Sequence, residues 1–210
     1  MAVFTLSQAA LHAAAGARAA HRSGAPVRRG SREAGSFEHE FFTMPARGET
    51  DRMLQVARVA LDHGRRWKRE ARREGRVLAG AQAAAAALTA GAVRVFEALL
   101  TLARLNRGRV FPSYDGLAEA TALGRATVAR ALHLLEGAGL LRRQRRFRRV
   151  AGDGPGPRYE QTSNAYRPTL PQRLLAHLPR WLRPAPLPDD VVHQAEVRAE
   201  EQAAMRAQLT

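Results

Sequence analysis

The sequence predicts a mainly α-helical protein that contains one small β-hairpin. Two observations lead to that fold class. Apolar residues recur at steps of three, four and seven over residues 90–105 and again over residues 125–138, which is the spacing of a helix with one buried face. Two extended, arginine-bearing segments, Leu140–Val150 and Arg158–Tyr166, flank the loop Ala151–Pro157, whose glycines and prolines favour a turn.

The first of these helices is expected to begin at Thr89, a residue type that caps helix N-termini, and to end near Asn106 and Gly108. Six apolar residues form its predicted buried side: Val93, Phe96, Leu99, Leu100, Ala103 and Leu105. The segment Arg109–Phe111 is predicted to form a short strand, which ends at Pro112 because proline supplies no backbone N–H.

Two further helices, joined by a tight turn, are predicted between Pro112 and Ala138. Ser113 is placed to cap the first, and Gly124 is expected to take a positive φ angle in the turn. The second helix is expected to bury Val128, Ala131, Leu132 and Leu135. Its opposite face carries short or basic side chains, which suit entry into a DNA major groove. The candidate reading residues on that face are Arg125, Thr127, Arg130 and His133.

The next segment, predicted as the first strand of the hairpin, holds six arginines in eight residues: Arg142, Arg143, Arg145, Arg146, Arg148 and Arg149. Strict alternation along a strand predicts two opposite sets, Arg142, Arg146 and Arg148 against Arg143, Arg145 and Arg149. Charge on a strand also protects a sheet edge from aggregation. Six arginines without an acid among them exceed that need, so we predict that they hold DNA phosphates, with the hairpin loop near a minor groove.

The segment YDGLAEATALGRATVARALHLLEGAGLL, residues 114–141, resembles the winged helix-turn-helix domains of bacterial regulators and of plasmid or phage replication proteins. TSNAY, at Thr162–Tyr166, resembles the closing strand of the replication-associated subgroup. The resemblance covers residues 89–168. It implies sequence-selective binding of double-stranded DNA, in plasmid- or phage-like replication initiation or in transcriptional regulation.

On either side of that winged helix-turn-helix domain we expect a flexible basic N-terminal arm at 1–48, a helical extension at 49–88, and a proline-rich linker with a C-terminal helix at 169–210. An organelle transit peptide is the alternative for the arginine-rich start. Within the arm, Phe37, Phe41 and Phe42 form an apolar cluster able to dock on the folded part. Glu38-His39-Glu40 is expected to be a solvated loop rather than a metal site, because adjacent side chains diverge.

The extension is predicted as a helix from Glu49 to about Leu78, followed by a helix-permissive alanine stretch. The second half of that helix, Gly64–Arg76, holds seven cations and Trp67. Two interpretations stay open. One is a solvated helix face whose charge is partly paired with Glu70 and Glu74. The other is an accessory helix that lies along DNA phosphates.

The proline-rich C-terminal part contains a short apolar piece that is expected to pack back on the domain or onto a partner chain: Leu174, Leu175, Leu178, Trp181 and Leu182. A final helix is predicted over 189–209, beginning at Asp189 and Asp190. Its thin, alanine-rich apolar stripe leaves open a loosely attached tail or self-association as a homodimer.

Composition favours a polyanionic partner, since the net charge is +15, from 34 basic and 19 acidic residues. Residues 90–166 carry 13 basic and 6 acidic residues, whereas residues 167–210 carry 6 and 5, so the C-terminal part is not expected to contact DNA. The absence of cysteine excludes disulfides and thiolate chemistry and fits a reducing compartment. Without an apolar run of membrane-spanning length, we expect a cytoplasmic protein associated with the nucleoid or a plasmid, and no membrane partner.

No pattern of catalytic residues supports an enzyme. The sequence has no phosphate-binding glycine loop, no serine elbow and no metal-ligand spacing, so no catalytic residue, cofactor or metal site is assigned. The alternative function is a general RNA-binding or ribosome-associated basic protein. Such a protein would stack bases on exposed aromatic rings. The small number of aromatic residues outside the expected core favours duplex DNA instead.

Overall fold

The computed structural model describes residues 27–150 and 158–182 and, in the C-terminal segment, residues 193–194, 197–198, 200–201 and 205. The chain divides into two compact units, residues 1–178 and residues 179–210. The helices of the first unit are α1 (Glu38–Phe41), α2 (Glu49–Glu74), α3 (Gly80–Ala87), α4 (Ala90–Leu105), α5 (Tyr114–Thr121), α6 (Arg125–Gly137) and α7 (Gln172–Leu175). Its strands are β1 (Ser31–Glu33), β2 (Leu141–Val150) and β3 (Arg158–Pro168).

The core of the first unit lies where α4 packs against α2, α5 and α6. The expected caps are confirmed: the Thr89 side chain accepts a hydrogen bond from the N–H of Ala92, and that of Ser113 accepts one from Gly116. The α6 face Val128, Ala131, Leu132 and Leu135 is buried as predicted. The order of three helices followed by a hairpin confirms the expected winged-helix fold.

The turn between α5 and α6 is built differently from the expectation. Ala122, and not Gly124, takes the left-handed conformation, with a φ of 52°. Its backbone N–H closes α5 by donating to the carbonyls of Ala118 and Glu119, while Gly124 has a φ of −66° and precedes α6. The prediction of a positive φ at Gly124 was therefore wrong, because Ala122, which ends α5, has the positive φ instead.

The predicted strand Arg109–Phe111 is not a strand. This segment stays extended between Gly108, which has a φ of 85°, and Pro112, and a single backbone bond joins it to the sheet. In that bond the N–H of Tyr166 donates to the carbonyl oxygen of Val110 at 3.0 Å. With Pro112 unable to donate, three residues between two turn-forming positions are too few for a continued ladder.

The sheet has three strands in the order β1-β2-β3, one more than the expected hairpin. β2 and β3 pair antiparallel, as predicted, and β1 pairs parallel with β2 at Arg145–Phe147. The described part of the expected N-terminal arm is therefore ordered on the domain: Phe37 is fully buried and the Phe42 ring lies 4.8 Å from that of Phe111. This confirms the docking of the phenylalanine cluster. Residues 1–26 lie outside the described residues.

In the helical extension, α2 ends at Glu74 and is followed by Gly75, which takes the left-handed conformation, and α3 occupies the alanine stretch. The two helices cross closely at Gly64, where an added Cβ would lie 2.2 Å from the carbonyl oxygen of Ala85. Within the described chain no single helix has the length and apolarity of a membrane span, and α3 with α4 meets those criteria only as a pair bent by 92°.

After β3 the chain packs back on the first unit, which is one of the two outcomes predicted for this apolar piece. Leu174, Leu175 and Leu178 are buried there, and α7 contacts α3. In the second unit, Arg180–Leu182 form a short 3₁₀ turn in which Trp181 is exposed. The described residues between 193 and 205 are helical, in agreement with the predicted final helix, whose proposed cap lies outside the described residues.

Candidate nucleic-acid interface

α6 presents one face to the core and the opposite face to solvent. Its buried side chains hold it against α4, and Arg125, Arg130 and His133 project outward while Thr127 is half-buried. The structure therefore places Arg125, Arg130 and His133 on the accessible side of α6, with the half-buried Thr127 at its edge. Their DNA contacts remain predictions.

Arg125, the first residue of α6, is held by groups from α5. Its Nη1 lies 2.5 Å from both carboxylate oxygens of Asp115, and its guanidinium carbon lies 5.9 Å from the centre of the Tyr114 ring. The hydrogen bond to Asp115, together with its negative charge, raises the pKa of Arg125. Both side chains are well exposed, so the pair contributes little stability and its arginine is free to exchange Asp115 for a DNA group.

The remaining polar groups of this face are more loosely held. The Nη2 of Arg130 lies 3.4 Å from the hydroxyl oxygen of Thr127, at the long end of hydrogen-bond distance. His133 is exposed, one turn farther along the helix from Ala129. These side chains can reorient toward a partner without breaking strong contacts.

Two of the six strand arginines point into the domain. Nη2 of Arg143 lies 2.6 Å from Glu136 Oε2, and its Nη1 donates to the hydroxyl of Tyr114 at 2.8 Å. Its side chain is 19% exposed. The guanidinium of Arg143 thus ties the end of α6 to the start of α5 through β2.

Arg146 is the second inward arginine, with a side chain only 15% exposed. Its guanidinium carbon lies 4.0 Å above the Phe111 ring, and its Nε lies 3.2 Å from Glu38 Oε1 as an ion pair without hydrogen-bond geometry. Burial lowers the pKa of Arg146, and the charge of Glu38 offsets part of that effect. This arginine therefore anchors α1 and the extended segment before α5.

The other four strand arginines are exposed. Arg148 pairs with Glu160 on β3 at 2.7 Å, and Arg149 pairs with Glu33 on β1 at 3.2 Å. Arg145 donates to the carbonyl oxygen of Arg29 at 3.0 Å. The side chain of Arg142 has no hydrogen-bond or ion-pair partner among the described residues. Exposed pairs of this kind are weak, so these four guanidinium groups remain available to phosphates.

The predicted alternation of the arginines does not hold along the whole strand. Arg143 and Arg146, which strict alternation assigns to opposite faces, are the two that contact the domain. The register of pairing with β3 shifts between Gln144 and Arg146, and such an irregularity interrupts the two-residue period. The hairpin loop predicted to approach a minor groove, Ala151–Pro157, lies outside the described residues.

Comparison with protein families identifies the part of the chain that holds this face. Residues 88–141 match a helix-turn-helix domain family. The match covers α4, α5 and α6, and it ends where β2 begins. No curated protein and no solved structure matches the chain.

The helix-turn-helix match indicates DNA binding. In helix-turn-helix domains generally, the second helix of the motif enters the major groove. Domains of this kind are typically not enzymes. In the part of the chain that the structure describes, His, Asp and Glu residues form no group able to hold a metal ion.

Sequence reasoning missed the acids that neutralise the strand arginines. None lies within β2 itself: they come from β1, α1, α6 and β3, as Glu33, Glu38, Glu136 and Glu160. Only Glu160 carried a usable signal, because a hairpin with the observed register places it directly opposite Arg148. Tyr114 was also missed, although it contacts both Arg143 and Arg125.

Proposed function

We propose that this protein binds double-stranded DNA sequence-selectively and without catalysis. In this proposal α6 lies in the major groove and the hairpin holds the adjacent backbone. The observation that carries it is the outward face of α6 within the helix-turn-helix domain: Arg125, Arg130 and His133 project from a helix whose other side is fixed to the core. Short neighbours such as Ala126 and Ala129 leave room for the edges of bases.

The two elements have separate roles. Arg125 and Arg130 read bases, because a guanidinium donates two parallel hydrogen bonds to guanine. The exposed arginines of β2, above all Arg142 and Arg145, hold phosphates, which adds affinity but little sequence preference. Arg143 and Arg146, although predicted as phosphate contacts, serve mainly to hold the domain together, since both are largely buried and ion-paired.

The biological setting of this binding is initiation of plasmid- or phage-like replication, or transcriptional regulation. The TSNAY string supports the first only weakly. Its last two residues, Ala165 and Tyr166, are fully buried, and Tyr166 joins β3 to the segment before α5. Those residues therefore pack the sheet onto the core. A replication initiator and a transcriptional regulator with this fold both require that packing, so it does not distinguish them. Sequencing of genomic fragments retained by the protein distinguishes the settings, because origins give clustered repeats and regulators give sites at promoters.

The division of roles is tested by gel shifts on a selected duplex and a scrambled duplex. Arg125→Gln with Arg130→Gln is expected to reduce the affinity ratio of the two duplexes at least tenfold, since each bidentate base contact contributes about 1–3 kcal/mol to discrimination. Arg142→Gln with Arg145→Gln is expected to weaken both duplexes equally. In the matched control, Arg58→Gln with Arg104→Gln removes the same two positive charges, from arginines that are ion-paired.

The same assay with single-stranded DNA and structured RNA tests the alternative function. An RNA-binding or ribosome-associated protein would bind structured RNA at least as tightly as any duplex, over a range of salt concentrations. In such a protein, the Arg125 and Arg130 changes would also leave the preference for one nucleic-acid sequence over another unchanged. Preference for RNA, or a reversal of the roles of α6 and β2, contradicts the proposal.

A further inference from the structure

The second half of α2 carries a run of cations that the helix-turn-helix domain does not account for. Seven cations and two acids lie between Gly64 and Arg76. Of residues 65–76 only Ala71 is buried, so this half of the helix projects its side chains into solvent. Three of the arginines follow one another at steps of four, which aligns them along one side of the helix: Arg65, Arg69 and Arg73. Arg72 lies beside them, three residues after Arg69.

Most of these cations form no ion pair with any residue that the structure describes. Arg65 lies 3.8 Å from Asp62 and Arg76 lies 2.6 Å from Glu74. The other five have no ion pair within the described part of the chain: Arg66, Lys68, Arg69, Arg72 and Arg73. On β2, by comparison, four of six arginines contact a carboxylate. A smaller share of the cations is therefore ion-paired on α2 than on β2.

Ordinary helix chemistry explains only part of this pattern. The helix dipole favours cations in the last turn, which accounts for Arg72 and Arg73 but not for charges two turns earlier. A solvated helix face gains support from acids and bases four residues apart, whereas Arg65 and Arg69, and Arg69 and Arg73, repel at that spacing. A polyanion bound along this side of the helix relieves the repulsion.

Packing holds these charges at a fixed spacing. The α2–α3 crossing is close at Gly64, and the Trp67 ring lies 6.1 Å from that of His177, just after α7. An open groove of about 480 Å³ between α2 and α3 has an alanine-rich floor, and its charged lining consists of Lys68, Arg72 and Arg76. Because the helix is fixed, a bound backbone need not order it, which lowers the cost of binding.

We propose that this side of α2, from Arg65 to Arg73, is a second DNA-contacting surface that follows the phosphate backbone without reading bases. The proposal rests on the proposed function in that it takes duplex DNA as the partner. At 1.5 Å per residue the surface spans about 12 Å, the length of DNA axis that holds about three to four phosphates of one strand at 3.4 Å each. Arginine suits this role because its planar guanidinium binds two phosphate oxygens at once.

The test compares Arg69→Gln with Arg73→Gln against a control of equal charge change, Arg58→Gln with Arg104→Gln, whose arginines are ion-paired with Glu97 and Asp51. Glutamine preserves the helix, since its helix propensity is close to that of arginine. The slope of log affinity against log salt is expected to become shallower by about 2 in the α2 variant, at about 0.9 per lost phosphate contact. The control slope should be unchanged, and the affinity ratio of selected to scrambled duplex should stay the same in both.

Hydroxyl-radical footprinting supplies a second readout. The α2 variant is expected to lose protection over about three to four nucleotides of backbone, while methylation protection of guanines in the major groove is retained. An unchanged slope and footprint overturn this proposal and leave the proposed function standing, provided that Arg125→Gln with Arg130→Gln still removes selectivity. If the α2 changes instead weaken binding to structured RNA or to phosphatidylserine vesicles and leave duplex binding intact, the assignment of DNA to this surface is wrong.

Discussion

Arg142 and Arg143 are neighbours on β2, yet their guanidinium groups have different surroundings. Arg142 is exposed, whereas Arg143 bridges Glu136 and the hydroxyl of Tyr114. Arg143→Ala leaves a half-buried carboxylate without its partner, so we expect it to lower the free energy of unfolding by about 1–3 kcal/mol. Arg142→Ala should change it by less than about 0.5 kcal/mol. Urea denaturation followed by circular dichroism measures both, and equal effects would show that Arg143 is not a structural residue.

Glu38 links stability to pH. Burial by itself raises the pKa of this carboxyl, but backbone hydrogen bonds from Gly35 and Phe37 and the charge of Arg146 outweigh that effect and lower its pKa below the usual 4.5. Its contribution is therefore present above about pH 4.5 and is lost as the pH falls through the lower folded value. Glu38→Gln should cost about 1–2 kcal/mol at neutral pH and make stability less sensitive to acid. Urea midpoints at neutral and at acid pH measure this effect. Glu40→Gln, on the exposed side of α1, is the control.

At the residue scale, the sequence predicted what depends on near neighbours and missed what depends on distant ones. Thr89 and Ser113 were identified as caps because a cap bonds an N–H three residues away. The pairing of Arg146 with Glu38 joins residues 108 positions apart, so no local pattern contains it. The left-handed turn residue was assigned to Gly124 on conformational preference, but the end of α5 required it at Ala122.

Among the elements, α2 and α3 depend on one glycine. A Cβ at Gly64 would lie 2.2 Å from the backbone oxygen of Ala85, which cannot move aside as a side chain can. We expect Gly64→Ala to separate the helices and lower the free energy of unfolding by about 1–3 kcal/mol. Gly137, also helical, has open space around its Cβ position, so Gly137→Ala should be neutral or stabilising by up to about 1 kcal/mol. Thermal unfolding of the two variants decides whether the crossing needs its glycine.

The elements of the winged domain could be predicted because their apolar spacing is regular and long, as in α4 and α6. β1 could not, since three residues with one exposed side chain carry no readable period, and its pairing partner lies 114 residues away. The phenylalanines that follow β1 could be interpreted, however: the cluster of Phe37 with Phe41 and Phe42 predicted that this segment docks on the domain, and Phe37 is buried.

For the whole molecule, net charge is a poor guide to where DNA binds, because acids from other elements cancel part of it. β2 looks most basic in the sequence, but most of its arginines are ion-paired. The second half of α2, which the sequence left as either a solvated or a DNA-bound helix, has mostly cations that are unpaired within the part of the chain that the structure describes. The cations free to meet phosphates are thus divided between the winged domain and α2.

That division predicts how binding depends on the length of the duplex. Six exposed arginines of α6 and β2 give a slope of log affinity against log salt near −5 on a duplex of about 12 base pairs, at about 0.9 per phosphate. A longer duplex of about 30 base pairs provides backbone for α2 to follow. The slope should therefore steepen by up to about 4.5, from the five unpaired cations at about 0.9 each. Fluorescence anisotropy with both duplexes measures it. Equal slopes would mean that the winged domain alone contacts DNA, and a slope shallower than about −3 on both would mean that the arginines of α6 and β2 stay with their acids when DNA binds.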